Sequence, residues 1–474
     1  MLFHTPLFLL FFLVFLCFYL PVRGTRWGIP IIVVFSSLFY ASWNWMFLPL
    51  LWVTILVDYW LGNAVAATED PRRKKWLVAA SVAINLGILG YFKYWNFLVA
   101  SLAPNPELAA RLTLGNIILP LGISFYIFQS MSYVIDVYRR TQPPMKNVLD
   151  FAAFVTFFPH LIAGPIQRVH QLVPQLLKPD TITFNRVASG MLLFAGGMFR
   201  KGLGDVLAAW HDPIFANLAA APPGIVTVAV FTFGLQIYLD FSGYSQMAVA
   251  LARMLGVDLI QNFNAPYLAT SMRDFWRRWH ISLSLWLRDY LYITLGGSRV
   301  RLPVQIGNLL FTMTVCGLWH GAGWNFAIWG LLHGLYLAYN TLFDRVAGGW
   351  LDRHRAFKPV LAMVSLPLTY LAANYAWVYF RLPTLDLAML ANRKILEFVL
   401  HPQVPIVPWG ILSIFGVVLA MDLVTRLKGE ILPFQGEMTR PRALAYGAFT
   451  AIVFAASLVL VVGAPVQQFI YFNF

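Results

Sequence analysis

Residues Asp274–Gly297 read DFWRRWHISLSLWLRDYLYITLGG. Arg277, Arg278 and Arg288 stand there with Asp274, Asp289 and His280, between tryptophans and tyrosines. The rest of the chain has the opposite character. Its 474 residues are 59% hydrophobic and 11% charged, with a mean hydropathy of +0.68. Soluble domains are about half apolar and a quarter charged. The chain therefore reads as an all-α, multi-pass integral membrane protein, a single domain over 1–474. Each charged residue at a bilayer centre costs roughly 2.5–3.5 kcal/mol on insertion scales, so the three arginines together would cost on the order of 10 kcal/mol. They belong instead at the cytoplasmic mouth of something polar.

At helical spacing, Arg277, His280, Ser284 and Arg288 form one polar stripe, flanked by an apolar stripe of Trp276, Trp279, Leu283, Trp286 and Tyr290. That pattern fits two structures. One is an interfacial helix whose arginines pair with lipid phosphates. The other is the wall of a wet, electropositive funnel.

Lys and Arg total 34 against 20 Asp and Glu, a net charge of +14. In a soluble protein that excess would suggest nucleic acid; in a membrane protein it marks cytoplasmic loops. The basic groups Arg72–Lys75, Arg139/Arg140/Lys146, Arg299/Arg301, Arg353/Arg355/Lys358, Arg426/Lys428 and Arg440/Arg442 are assigned to that side. The apolar runs 7–20, 30–42, 46–62, 77–100, 116–138, 187–210, 225–252, 304–320, 324–343, 359–380, 406–424 and 443–463 then cross in turn, about twelve crossings. Both termini fall outside. The first run has no basic residue before it and no cleavage site after it, so it reads as a membrane helix rather than a signal peptide. The runs 149–166 and 281–296 are read as re-entrant or interfacial.

Ionisable residues inside apolar runs are functional candidates by default. CGLWHGAGWNFAIWGLLHGLYL (Cys316–Leu337) places His320 at the end of a crossing, before Gly321 and Gly323, and holds Asn325 and His333. A histidine among tryptophans and leucines stays neutral, because desolvation disfavours the cation. A neutral imidazole is a competent general base or nucleophile. His320 is assigned that role. His333 reads as a hydrogen-bond device between helices. Asp240, in QIYLDFSGYS (Gln236–Ser245), needs a partner or a water-filled cavity. His160, Gln167 and Arg168, and Asn262 with Asn264 in QNFNAPY (Gln261–Tyr267), read as interhelical hydrogen-bonding groups. The chain contains no H-E-x-x-H, G-x-S-x-G or Walker-type phosphate loop. Neither Cys17 nor Cys316 suggests a disulfide or a metal site. No histidine spacing argues for a metal.

Together, LGISFYIFQSMSYVIDVYR (Leu121–Arg139), LIAGPIQR, LDFSGYS, NFNAPY, the 274–297 stretch and GLWHGAGWNFAIWGLLHG resemble the membrane-bound O-acyltransferase (MBOAT) family over about 121–337. The nearest branch is the bacterial polysaccharide one, and the alginate type within it. The resemblance implies a ring of about 11–12 membrane helices around a central cytoplasmic funnel. It implies catalytic histidines at His320 and His280. It further implies a multi-pass protein of the bacterial inner membrane that passes an acetyl group outward for O-acetylation of an exopolysaccharide.

In that picture the donor is acetyl-CoA or an acyl-carrier thioester, with no bound cofactor. Arg277, Arg278, Ser284, Arg288, Asp240 and Asn325 are assigned to the donor funnel. The expected partners are an extracytoplasmic acetyltransferase, the polysaccharide acceptor and an acyl-carrier protein. D-alanyl or other acyl transfer to a cell-wall polymer is the alternative within the family. A lipid-linked sugar transporter or an export-complex scaffold is the alternative outside it, although a transporter of that kind should show internal repeats. The tail QQFIYFNF (467–474) reads as an interfacial aromatic anchor by residue type. Its F-x-Y-x-x-F pattern resembles a motif of teichoic-acid D-alanylation, which implies that Tyr471 accepts the acyl group on the outer side.

Overall fold

The computed structural model describes residues 1–115, 117–428 and 440–463. Every regular element among them is helical. In hydrocarbon no water satisfies the backbone, so a helix, which pairs its own N–H and C=O groups, is the default spanning element. The apolar runs of the sequence fall on the helices Pro6–Tyr19, Gly28–Asn44, Leu48–Ala67, Pro71–Leu89, Ile123–Tyr138, Phe184–Ala216, Pro223–Met254, Leu302–His320, Trp324–Arg353, Phe357–Arg381, Trp409–Lys428 and Arg440–Gly463. Among the described residues six segments are long and apolar enough to span a membrane on their own. Local sequence sets the helix starts: Asp70 accepts from the Arg72 N–H at 2.9 Å ahead of Pro71, whose missing N–H costs nothing at a first helical turn. The amphipathic helix Leu385–Leu400, which Thr384 caps, was not expected from hydropathy.

Two compact units divide the chain. The first comprises Met1–Phe194 and Tyr244–Ile260. Phenylalanines pack its interior; the rings of Phe15 and Phe158, for example, lie 5.2 Å apart edge to face. Asp58 is buried there and accepts from Ser81 Oγ at 2.6 Å, Asn85 Nδ2 at 2.8 Å and Ser130 Oγ at 2.6 Å. Three donors around one carboxylate offset its desolvation. The run 149–166 resolves into two short helices, Val148–Thr156 and Phe158–Leu161, followed by irregular chain. Buried His160 belongs to this unit.

The second unit comprises Ala195–Gly243 and the chain from Gln261 onward, and it carries the candidate site. Its central feature is a tight hairpin of the Leu302–His320 and Trp324–Arg353 helices. A Cβ on Gly317 would lie 2.0 Å from the Phe326 carbonyl oxygen, and one on Gly330 would lie 2.1 Å from that of Met313. The two backbones touch where these glycines stand, which fixes the depth of the residues that follow.

The 274–297 stretch departs from the expected single stripe. One helix, Met272–Arg278, ends at Trp279, and a second, Ile281–Leu287, begins after His280. His280 itself sits in left-handed backbone, φ 42° and ψ 55°. The cause lies in the NFNAP segment. The Ile281 N–H donates to the Asn262 carbonyl at 2.9 Å, and Asn262 Oδ1 accepts from the Ser282 N–H at 3.2 Å and Ser282 Oγ at 2.6 Å. The Asn264 N–H donates to the Arg278 carbonyl at 3.0 Å. These bonds outcompete the helical ones at the junction, and they hold a left-handed residue that is not glycine.

Candidate active site

His320 is the last residue of its helix, and His280 is the junction between the two short helices. Both are buried, at 3% and 0% exposure, and their ring centroids lie 6.4 Å apart. Trp319, Trp329 and Phe380 surround His320 at 4.9, 5.1 and 5.2 Å. Phe241 meets His280 edge-on at 4.7 Å. Burial pushes the His280 imidazole down to about 3, so it is neutral at working pH. The break at His280 thus moves this residue off the polar stripe and turns it inward, beside His320. Two imidazoles in an aromatic shell can hold and pass a proton while excluding bulk water.

A cleft of about 680 Å³ opens in the same unit. Its walls include Trp276, Arg277, Ser284, Arg288, Gln305 and Thr312. The three arginines expected there are not equivalent. Arg277 is exposed and makes no ion pair among the described residues. Arg288 lines the cleft and pairs with Asp289 at 2.7 Å. Arg278 is not a cleft residue: it donates to Asp274 at 2.9 Å and to the Asn264 carbonyl at 3.2 Å. The ending of the helix at Trp279 turns it to the NFNAP side. Ser284 lines the cleft while its hydroxyl donates to the Trp279 carbonyl at 3.2 Å.

Two residues assigned to the funnel do other work. Asn325 is buried and donates to the Leu382 carbonyl at 3.0 Å, fastening the end of the Phe357–Arg381 helix. Asp240 sits in a buried ionic network rather than in the cleft. Lys201 Nζ lies 3.0 Å from Asp240 and also pairs with Asp205. Beside it Arg200 stands over the Tyr238 ring at 5.5 Å, and Tyr238 OH donates to Asp422 at 2.8 Å. Sequence reading missed Lys201, Asp205, Arg200 and Asp422. The signal was present in FRKGLGD (199–205), which puts a cation and an acid four residues apart inside an apolar run. His333 bridges helices as expected: Trp276 Nε1 donates to its Nδ1 at 3.3 Å. Among the described residues no three His, Cys, Asp or Glu side chains gather as a metal site. Tyr471 and the 467–474 tail lie outside the described residues.

The sequence profile of "MBOAT, membrane-bound O-acyltransferase family" matches residues 37–381, which contain both histidines, the cleft and the ionic network apart from Asp422. The chain belongs to this family. It is an acyltransferase and a multi-pass membrane protein. It is 42% identical over 397 residues to the probable alginate O-acetylase AlgI of Pseudomonas putida, covering 82% of this chain and 79% of that protein. It is 34% identical over 426 residues to the peptidoglycan O-acetyltransferase of Helicobacter pylori, covering 82% and 78%. It is 26% identical over 339 residues to the teichoic acid D-alanyltransferase of Bacillus subtilis, covering 66% and 79%.

Proposed function

We propose that this acyltransferase draws an acetyl group from a cytoplasmic thioester and passes it across the bacterial inner membrane for O-acetylation of an exopolysaccharide of the alginate kind. The observation that carries this reading is the buried His280–His320 pair in the same unit as a cleft lined by the exposed Arg277. The similarity to alginate O-acetylases supports acetyl as the group. The donor is acetyl-CoA or an acetylated carrier protein. Arg277 and Arg288 attract its phosphates at the cleft mouth.

In the transfer, His320 takes the proton of the attacking hydroxyl. The oxygen adds to the thioester carbonyl, the C–S bond breaks, and the thiolate leaves with a proton returned by the imidazole. A transient acyl-imidazole at His320 is the covalent variant of the same exchange. Tyr471 is the acceptor on the outer side. Its aryl ester is a good donor for the next step, because phenol, of pKa about 10, is a better leaving group than a sugar alkoxide. An extracytoplasmic transferase then moves the acetyl group to the polysaccharide. D-alanyl transfer is the second reading, and the similarity to D-alanyltransferases favours it over a transporter or scaffold.

Ester analysis of the polymers from cells with and without the protein separates these readings. Loss of acetyl esters from secreted polysaccharide supports the proposal. Loss of alanine esters from the wall replaces it with the second reading. Unchanged esters of both kinds overturn both readings and leave acyl transfer to another polymer, such as peptidoglycan.

A further inference from the structure

The helix Met272–Arg278 is only seven residues long, yet it carries both Arg277 and Trp276, which line the cleft. Three of its contacts go to one stripe of the Trp324–Arg353 helix. The Arg273 N–H donates to Asn340 Oδ1 at 3.1 Å, the Arg273 guanidinium pairs with Asp344, and Trp276 Nε1 donates to His333 Nδ1 at 3.3 Å. Positions 333, 340 and 344 are spaced by seven and four, so they share one helix face. The Arg273–Asp344 pair is solvent-exposed and contributes little. His333 is fully buried. Its bond is the one inside the protein, where an unpaired N–H is expensive.

The same imidazole also touches the histidine pocket. Its ring lies 4.7 Å from that of Trp329, which meets His320 edge-on at 5.1 Å and Trp276 at 6.0 Å. Accepting from Trp276 requires a bare Nδ1, so His333 is neutral with its proton on Nε2.

We infer that His333 is a positioning residue of the acyl-transfer site. By accepting from Trp276 it holds the short helix in register, so that Arg277 faces the cleft and Trp329 stays packed on His320. This inference rests on the reading of the cleft as the donor site. It predicts coupling between two residues 57 positions apart in sequence, expressed mainly in donor use.

The test uses the full-length protein in inverted membrane vesicles, with [14C]acetyl-CoA as the donor probe and cytosolic extract present so that any carrier protein is charged. Initial rates of polymer-bound label give a half-saturating acetyl-CoA concentration and a maximal rate. His333→Phe keeps a ring of similar size but removes the acceptor; it should raise the half-saturating concentration about tenfold, the order set by stranding the buried Trp276 N–H at the cleft wall. His333→Asn, which offers an oxygen near the Nδ1 position, should recover part of the loss. The double variant Trp276→Phe/His333→Phe, which leaves neither partner stranded, should be no worse than His333→Phe alone.

If His333→Phe fails to accumulate, Trp276→Phe reads the same bond from the donor side. Arg277→Glu tests the donor reading separately. A raised constant in Arg277→Glu with normal constants in His333→Phe and Trp276→Phe overturns the inference and leaves the donor site standing. Additive effects of the two ring substitutions likewise overturn it. A normal constant in Arg277→Glu removes the donor reading of the cleft, and the inference with it.

Discussion

Gly317→Ala is the smallest change that should disable the site without touching a functional group. The added Cβ would lie 2.0 Å from the Phe326 carbonyl oxygen, 3.0 Å from the Gly330 nitrogen and 3.0 Å from the Phe326 carbonyl carbon. All three are backbone atoms, so no side chain can swing aside. Ordinary contact begins near 3.4 Å, so the hairpin must part by about 1.4 Å at this point. Overpacking of this kind costs about 1–3 kcal/mol, which lowers abundance without abolishing folding. Gly317 is one helical turn from His320, and the facing helix carries Trp329, which packs on the His320 ring. A shift above 1 Å at a reacting group costs about 10²-fold in rate. Polysaccharide acetylation per unit of membrane-embedded protein should therefore fall by about two orders of magnitude. Gly307→Ala on the same helix is the control. Nothing lies within 4 Å of its Cβ, and alanine is the better helix former by about 1 kcal/mol, so this variant should match or exceed the parent in abundance and activity. Normal specific activity in Gly317→Ala would refute the claim that the hairpin contact sets the position of His320.

The arginines, the ionic network and the tail yield further outcomes. Arg277→Glu should weaken acetyl-CoA use, more at low salt than at high salt, since the screening length is about 10 Å at 0.1 M; a salt-independent loss in vesicle assays would contradict phosphate attraction. Lys201→Met strands Asp205 and Asp240 as buried acids, and removal of one partner of such a set costs about 3–5 kcal/mol, so membrane abundance measured by immunoblot should collapse. Normal abundance would show that those acids are protonated or solvated. Tyr471→Phe keeps ring and packing and deletes only the hydroxyl, so it should abolish polysaccharide acetylation if the tyrosine is a relay and leave it normal if the tail is an anchor.

The sequence carried the helices well because hydropathy over a crossing is a sum of many like residues, and few local exceptions reverse it. The Leu385–Leu400 helix escaped because its apolar residues occupy one face rather than the whole cylinder. The buried place of His320 at the end of its helix was legible because a histidine between tryptophan and glycines closes an apolar run there. The inward turn of His280 was not. Periodicity continues a helix through Trp279, and the competing bonds from Asn262 and Asn264, well upstream in the sequence, break it. For the same reason Arg278 read as a cleft residue although its backbone and guanidinium are committed to Asn264 and Asp274. Asp240 announced that it needed a partner. The identity of Lys201 could not be read from local pattern, because the two meet only when separate helices pack.

The central claim is that His320 performs acyl transfer rather than filling space in an aromatic core. The direct measurement is the acetyl ester content of secreted polysaccharide in cells whose only copy of the protein is His320→Ala, with membrane abundance determined in parallel. Loss of a general base or acyl carrier lowers transfer by about 10²–10⁴-fold. The account predicts acetyl esters near background with the protein present at close to normal abundance. Normal acetylation at normal abundance would contradict it.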